Sequence, residues 1–442
     1  MTVPNPLHQR RDIAFAVALF IYVLWMRTFD VASTFLMLGE QTRDWAIALG
    51  GLTDLPLVGA PSTAGGRGLG PAYYWLLWLG RVTIGPFMDN LPHAGGVTVA
   101  LLQSIGDTWL FIALARRIPW PLALAAVLLI ASGPFDIAIS SVIWNPPVAA
   151  ALIKMATASA LMLGPTSPGW HVAVPAALAT MAVQTHLSAA FPVAALLAGI
   201  AVGVRRYPRL AIMAGAIVVL QLPLLLSMLL EPSAPVGPTT AIASITSGQS
   251  FRPMFGFDTV TGVTGNLFLP MPESFRFSVP TLVAGAIVMA VYRRDPIVIG
   301  ASIGGILVAS LVFATWTRGY DGYWFLTMTT GLALTFAMTI AAIPWRPAVM
   351  AIGAVLLAVF AIWQPARITE SLRFFEYPHY ETMVRASREI VRRAPAVRDI
   401  RLNFEAHPTM DRTIVYTILG GRIDSGARYT AVIDGDGRVT LQ

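Results

Sequence analysis

The sequence predicts a polytopic α-helical membrane protein with a small α/β domain at its C-terminus. Three observations carry this. Hydrophobic residues make up 56% of the 442-residue chain and charged residues only 12%, about half the charged share of a soluble domain. Long apolar stretches recur from the N-terminus to about residue 363, with polar loops between them. Beyond that point charged residues return and short alternating segments replace the apolar runs. Barrel strands would alternate over about ten residues each, so the spans are helical. The formal charge of +7 resides largely in arginines at span ends. That is the pattern of short cytoplasmic loops, and no nucleic-acid partner is expected. The chain has no cysteine, which excludes disulfides and thiol chemistry.

In chain order the candidate spans are 12–29, 95–115, 119–135, 146–163, 171–187, 188–204, 210–230, 277–292, 296–315, 322–341 and 347–364, about eleven in all. The first follows HQRRD (8–12), which resembles a signal-peptide start, and is read as a retained helix. The run GPAYYWLLWLGRVTIGPFM (70–88) is ambiguous because it contains Arg81. An arginine at mid-membrane depth costs about 2.5–3.5 kcal/mol on insertion scales. If this run lies along the surface, Arg10, Arg11, Arg116, Arg117, Arg205, Arg206, Arg209, Arg293, Arg294 and Arg346 share one side with the N-terminus. If it spans, the N-terminal pair is left alone. The positive-inside rule selects the surface arrangement. The N-terminus is then inside, and 30–94, 231–276, the TRGYDGYW turn (317–324) and the tail from about 365 lie outside.

The tail divides from the rest in pattern. HYETMVRASREIVRR (379–393) has helical spacing. DIRLNFE (399–405) and YTAVID (429–434) alternate like strands, DGDG before RVTL signals a hairpin, and TMDRTIVYTILGG (409–421) reads as a helix ending at glycine. DGDG lacks the closing glutamate of a calcium loop, and no metal or other cofactor is expected.

The first external loop holds most of the candidate chemistry. FDVASTFLMLGEQTRDWAIALGG (29–51) mixes apolar and polar residues at helical spacing and suits an interfacial helix anchored by Trp45. On it Glu40 and Asp44 share a face, with Arg43 beside them. They either solvate that helix or form a polar site. TAGGRGLG (63–70) places Arg67 among glycines whose backbone N–H groups can surround an anion. YYWLLW (73–78) makes the next stretch an aromatic surface helix.

GEQTRDW, then TDLPLVGAPS, then LGPAYYWLL resemble the first loop of bacterial membrane glycosyltransferases of the GT-C superfamily, relatives of protein O-mannosyltransferases and lipid A aminoarabinose transferases. SVIWNPPVAAAL (141–152) is similar to their W-N-P-N span entry and QTHLSA (184–189) to a later Q-x-H-x-S element. GYDGYWF (319–325) is a weaker echo. The resemblance covers about residues 36–190. It implies a GT-C fold, with residues 1–364 as a transmembrane catalytic domain and 365–442 as a small periplasmic domain. It implies transfer of a sugar from a polyprenyl-phosphate donor to an envelope acceptor, with inversion, on the outer face of the bacterial inner membrane.

On this resemblance the first-loop acid is the catalytic base. Glu40 takes its position, and because the family more often carries aspartate there, Asp44 shares the candidacy. Arginine suits the leaving phosphate, and the external candidates are Arg43, Arg67, Arg81, Arg252, Arg276 and Arg318. His186, near the outer end of its span, is a candidate for phosphate or sugar. Tyr73, Tyr74, Tyr320, Asp321 and Tyr323 are candidates for sugar or acceptor contact. Asp136 is the only acid in the second external loop and has no clear family match. The expected partners are the lipid-linked donor, membrane lipids, and an acceptor that is a lipid, a glycan such as lipopolysaccharide, or a protein. A secondary transporter, or a flippase or polymerase of lipid-linked glycans, is the alternative.

Overall fold

In a computed structural model of the chain, residues 6–29, 31, 35–37, 39–61, 69–164, 166–204, 206–230, 253–267, 275–315, 322–372, 380–393, 399–404, 422–423, 430–433 and 438–442 are described. Helices dominate. Helix α1 (Pro6–Thr28) leads to α2 (Gly39–Ala48) and α3 (Ala72–Ile84), and then to α4 (His93–Ala115), α5 (Trp120–Ala131), α6 (Pro134–Ile139) and α7 (Asn145–Leu161). Helices α8 (Ala173–Thr185), α9 (Ala190–Val204), α10 (Tyr207–Leu230), α11 (Pro253–Leu267) and α12 (Phe275–Val291) follow. The kinked α13 (Pro296–Phe313), α14 (Thr329–Ala341), reached through a 3₁₀ segment from Gly322, and α15 (Arg346–Leu372) complete the membrane-type region. Among the described residues six segments are long and apolar enough to cross a membrane: His93–Ala115, Leu187–Val204, Tyr207–Leu230, Pro296–Phe313, Gly322–Ala341 and Arg346–Pro365. Ile13–Thr28, Trp120–Ala131 and Phe277–Val291 are shorter apolar helices. The chain is a multi-pass membrane protein.

Sequence chemistry accounts for the boundaries. Prolines in the first turn open α5, α6, α7 and α13, where a missing N–H costs no hydrogen bond. Asp295 caps α13 by accepting from the Val298 N–H at 3.3 Å. Small residues let helices approach closely. A Cβ on Gly199 would meet the Pro296 carbonyl, and one on Gly300 the Ala195 carbonyl, so α9 and α13 touch backbone to backbone.

Helix α7 is the centre of the bundle. Every residue from Pro146 to Leu161 is buried. In contrast, only 6% of the apolar window of α10 is buried, leaving Val219, Leu229 and Leu230 on the outer surface.

The run at 70–88 forms a helix of 13 residues followed by a 3₁₀ turn at Gly85–Phe87. It lies against the bundle with Tyr73, Tyr74, Leu77 and Gly80 buried. Arg81 donates to the Gly50 carbonyl at 3.1 Å, tying α3 to the end of α2. The helix anticipated over 29–51 is shorter, starting at Gly39, and Phe35 to Met37 are not helical.

In the tail, α16 (Tyr380–Arg393) accompanies a four-stranded sheet of β1 (Asp399–Phe404), β2 (Arg422–Ile423), β3 (Thr430–Ile433) and β4 (Val439–Leu441) in the order β2-β1-β3-β4. β1 is parallel to β2 and β3, and β3 is antiparallel to β4. Arg393 donates to the Val439 carbonyl at 2.9 Å and fastens the helix to β4. The helix expected over 409–421 and the DGDG turn lie outside the described residues.

Candidate active site

Helix α2 presents its two acids differently. Glu40, in the first turn, is exposed. The indole N–H of Trp144 donates to its Oε2 at 3.1 Å. Trp144 is the N-cap of α7, with an extended backbone, and Pro146 and Pro147 lack the N–H groups that would carry the helix further back. Its ring lies 4.7 Å from that of Tyr323, and Tyr323 stands edge-on to His186 at 5.9 Å. His186 ends α8 and its Nδ1 shares a hydrogen bond with Ser188 Oγ at 2.8 Å. Ser188 in turn meets Thr327 Oγ1 at 3.2 Å. Asn145 Nδ2 donates to the Thr185 carbonyl at 3.0 Å, locking the start of α7 to the end of α8. Four distant segments of chain therefore meet around Glu40.

Asp44, one turn later, is buried. Its Oδ1 accepts from Arg43 at 2.8 Å and from the Tyr74 hydroxyl at 3.1 Å. Burial pushes its pKa up to about 6, against the pull of Arg43 and Tyr74. Burial and the Asp44 charge together raise the Tyr74 phenol. Arg43 borders a cavity of about 330 Å³ closed by Ile47, Tyr74, the loop 56–61 and Ser227 and Leu230 of α10. The cavity has one guanidinium on an otherwise largely apolar wall.

The structure thus brings together Glu40, His186 and Tyr323, and sets Arg43, Asp44 and Tyr74 beside them on the same helix pair. Tyr73 is fully buried in the core and offers no face to a ligand. Tyr74 is occupied by Asp44. Arg67, Arg252, Arg318, Tyr320 and Asp321 lie outside the described residues, as does the side chain of Arg276, near the start of α12. Trp144 was visible in the sequence only as part of a span entry. Its hydrogen bond to Glu40, 104 residues away in the chain, was not.

Asp136 does not join this site. It belongs to a buried charge cluster with Arg27, Asp107 and Lys154. Arg27 Nη2 is 2.7 Å from both Asp136 and Asp107, and Lys154 Nζ is 2.8 Å from Asp107 and 2.6 Å from Gln103 Oε1. Two cations face two anions, so the group is neutral. Lys154 faces protein, because α7 is buried from Pro146 to Leu161.

These helices and the first loop define a multi-pass α-helical membrane protein. No protein-family model and no curated protein matches the chain. Among solved structures it is similar to ArnT from Cupriavidus metallidurans. With ArnT bound to undecaprenyl phosphate the TM-score is 0.56 at 14% identity, covering 95% of this chain and 92% of that one. With apo ArnT the TM-score is 0.51 at 15% identity, covering 88% and 69%. At such identity the likeness is one of fold.

Proposed function

We propose that the chain is an inverting glycosyltransferase that moves a sugar from a polyprenyl-phosphate donor to an envelope acceptor at the outer face of the bacterial inner membrane. The observation that carries this reading is the exposed Glu40 carboxylate, oriented by Trp144 and facing outward where the first loop meets α7 and α8. The bound lipid of the ArnT structure supports a donor of the same chemical type.

In this reading the topology has about eleven spans, with the N-terminus inside and α2, α3 and the C-terminal α/β domain outside. The acceptor hydroxyl attacks the anomeric carbon while Glu40 takes its proton. The bond from that carbon to the phosphate oxygen breaks, and polyprenyl phosphate leaves with the electron pair. Attack opposite the phosphate inverts the anomeric centre. Arg43 supplies charge to the leaving phosphate from the cavity wall, and the isoprenoid runs along the outward apolar face of α10. Asp44 orients Arg43. Tyr323 and Trp144 offer aromatic faces to the sugar, with His186 behind them. The reading requires no metal, since Arg43 supplies the positive charge that a leaving phosphate needs.

The buried ionic cluster favours a second reading, since transporters place charges within their spans. Here all four groups are paired and sealed from solvent. Purified protein incubated with radiolabelled polyprenyl-phosphate sugar and a detergent extract of envelope acceptors distinguishes the two. Transfer of label with release of polyprenyl phosphate supports the enzyme. Uptake of label into proteoliposomes without transfer supports the carrier.

A further inference from the structure

A cavity lined by three arginines lies at the opposite end of the bundle from Glu40. The turn from α4 to α5 and the turn from α14 to α15 enclose a cavity of about 480 Å³, walled by Arg116, Arg117, Pro119, Ala342 and Arg346. Arg117 is already committed, with Nη1 on Asp295 at 2.6 Å and Nε on the Leu161 carbonyl at 2.8 Å. Arg116 and Arg346 are exposed, and among the described residues neither has an acidic partner within ion-pair distance. The first turns of α5 and α15 begin at the rim, which adds to the positive potential.

An apolar groove of about 160 Å³ continues along the same three helices, α5, α14 and α15. Its wall includes Leu122, Leu129, Ala333, Ala337, Phe360 and Trp363 and exposes no polar surface. The alanines leave the space that larger side chains would fill. Ile340 lines the groove and its neighbour Ala341 lines the cavity, so one continues from the other. Val359 and Trp363 are 49% and 41% exposed, so the groove is reached from the side of the bundle. A free anion has no use for such a groove, and a neutral lipid has no use for the two arginines. An anionic amphiphile satisfies both.

We propose that this site binds one anionic glycerophospholipid, with its headgroup phosphate between Arg116 and Arg346 and an acyl chain in the α5/α14/α15 groove. Basic pockets between spans at the cytoplasmic interface take such headgroups. Only the choice of leaflet rests on the topology proposed above. The binding itself is independent of the transferase reading.

The test uses the full chain, delipidated in detergent and titrated with dioleoylphosphatidylglycerol or dioleoylphosphatidylcholine under native mass spectrometry. One phosphatidylglycerol should be retained in preference to phosphatidylcholine. Arg116→Ala with Arg346→Ala should weaken retention by at least about tenfold, since each arginine near the surface adds to lipid attraction. Leu129→Trp, which fills the groove and leaves both arginines, should also release the lipid. Arg206→Ala, an exposed arginine elsewhere on the same face, should leave retention unchanged. Thermal unfolding of each variant without lipid reports whether it is folded. Equal retention of both lipids, indifference to the double alanine variant, or displacement of phosphatidylglycerol by millimolar inorganic phosphate would overturn the proposal.

Discussion

Trp144 donates its indole N–H to Glu40 at 3.1 Å, and this one bond joins helix α2 to the N-terminal end of α7, the central helix of the bundle. It spends one lone pair of the carboxylate and leaves the rest facing outward. If Glu40 is the base, Glu40→Gln keeps the bond to Trp144 but accepts no proton. Turnover should fall by roughly 10²–10⁴-fold with donor affinity near normal, the usual worth of general-base catalysis. Trp144→Phe should cost less, because the carboxylate survives without its orienting partner. Steady-state kinetics with saturating donor read both, and full turnover in Glu40→Gln would remove the base from this position.

In the proposed reaction Asp44 gives donor binding a pH dependence. Its pKa of about 6 means that it loses its charge, and Arg43 its partner, as pH falls below that value. The Michaelis constant for the donor should rise below pH 6, and Asp44→Asn should flatten that profile. The sign for stability is opposite. The folded state holds a proton that the unfolded chain releases near the usual carboxylate value, so this contribution is present at low pH and lost as pH rises through about 6. A donor-binding profile from pH 5 to 8 that is identical in wild type and Asp44→Asn would separate Asp44 from Arg43.

Arg43 lines the cavity at the apolar end of α10. Arg43→Ala should weaken donor binding more than acceptor binding, through loss of charge-assisted bonds to phosphate. Arg43→Lys should restore part of it, since lysine keeps the charge but not the fork. Equal donor affinity in both variants would move the anion site to arginines outside the described residues.

Topology is open to a direct measurement because the chain has no native cysteine. Cysteines introduced at the exposed Thr53 and Thr440 should react with an impermeant thiol reagent in intact spheroplasts, and one at the exposed Pro208 should not. Labelling at Pro208 alone would invert the arrangement.

The helical segments were legible in the sequence because a bilayer demands long apolar runs, and the apolar stretches from 12 to 364 all contain helix. Arg81 set the run 70–88 apart from the other apolar stretches, and its side chain does reach the Gly50 carbonyl. The difference between Glu40 and Asp44 was not legible. Spacing puts them on one face, but only the arrival of Tyr74 covers one and leaves the other open. The ionic cluster was half legible. Lys154 is a charge within the apolar run 146–163, yet its partner Asp107 is carried by another helix, and the pairing depends on how α4 and α7 pack. Gathering all charges within the spans and asking whether they cancel would have found it.

That neutral cluster has a consequence for how the chain is made. Arg27, Asp107, Asp136 and Lys154 emerge from the ribosome far apart in time, and the three that lie within predicted spans, Arg27, Asp107 and Lys154, must be partnered or neutralised in lipid. Arg27 has no anion until α4 appears, and the balance closes only when α7 is complete at Leu161. A lone charge in a span costs about 2.5–3.5 kcal/mol at the insertion step. The first 161 residues are therefore expected to insert as one unit, with the early helices held beside the insertion machinery until the later ones arrive. Lys154→Met should prolong that waiting, seen as persistent crosslinks from α1 to the translocon in arrested nascent chains. Restoring the balance with Asp107→Asn in the same chain should shorten it.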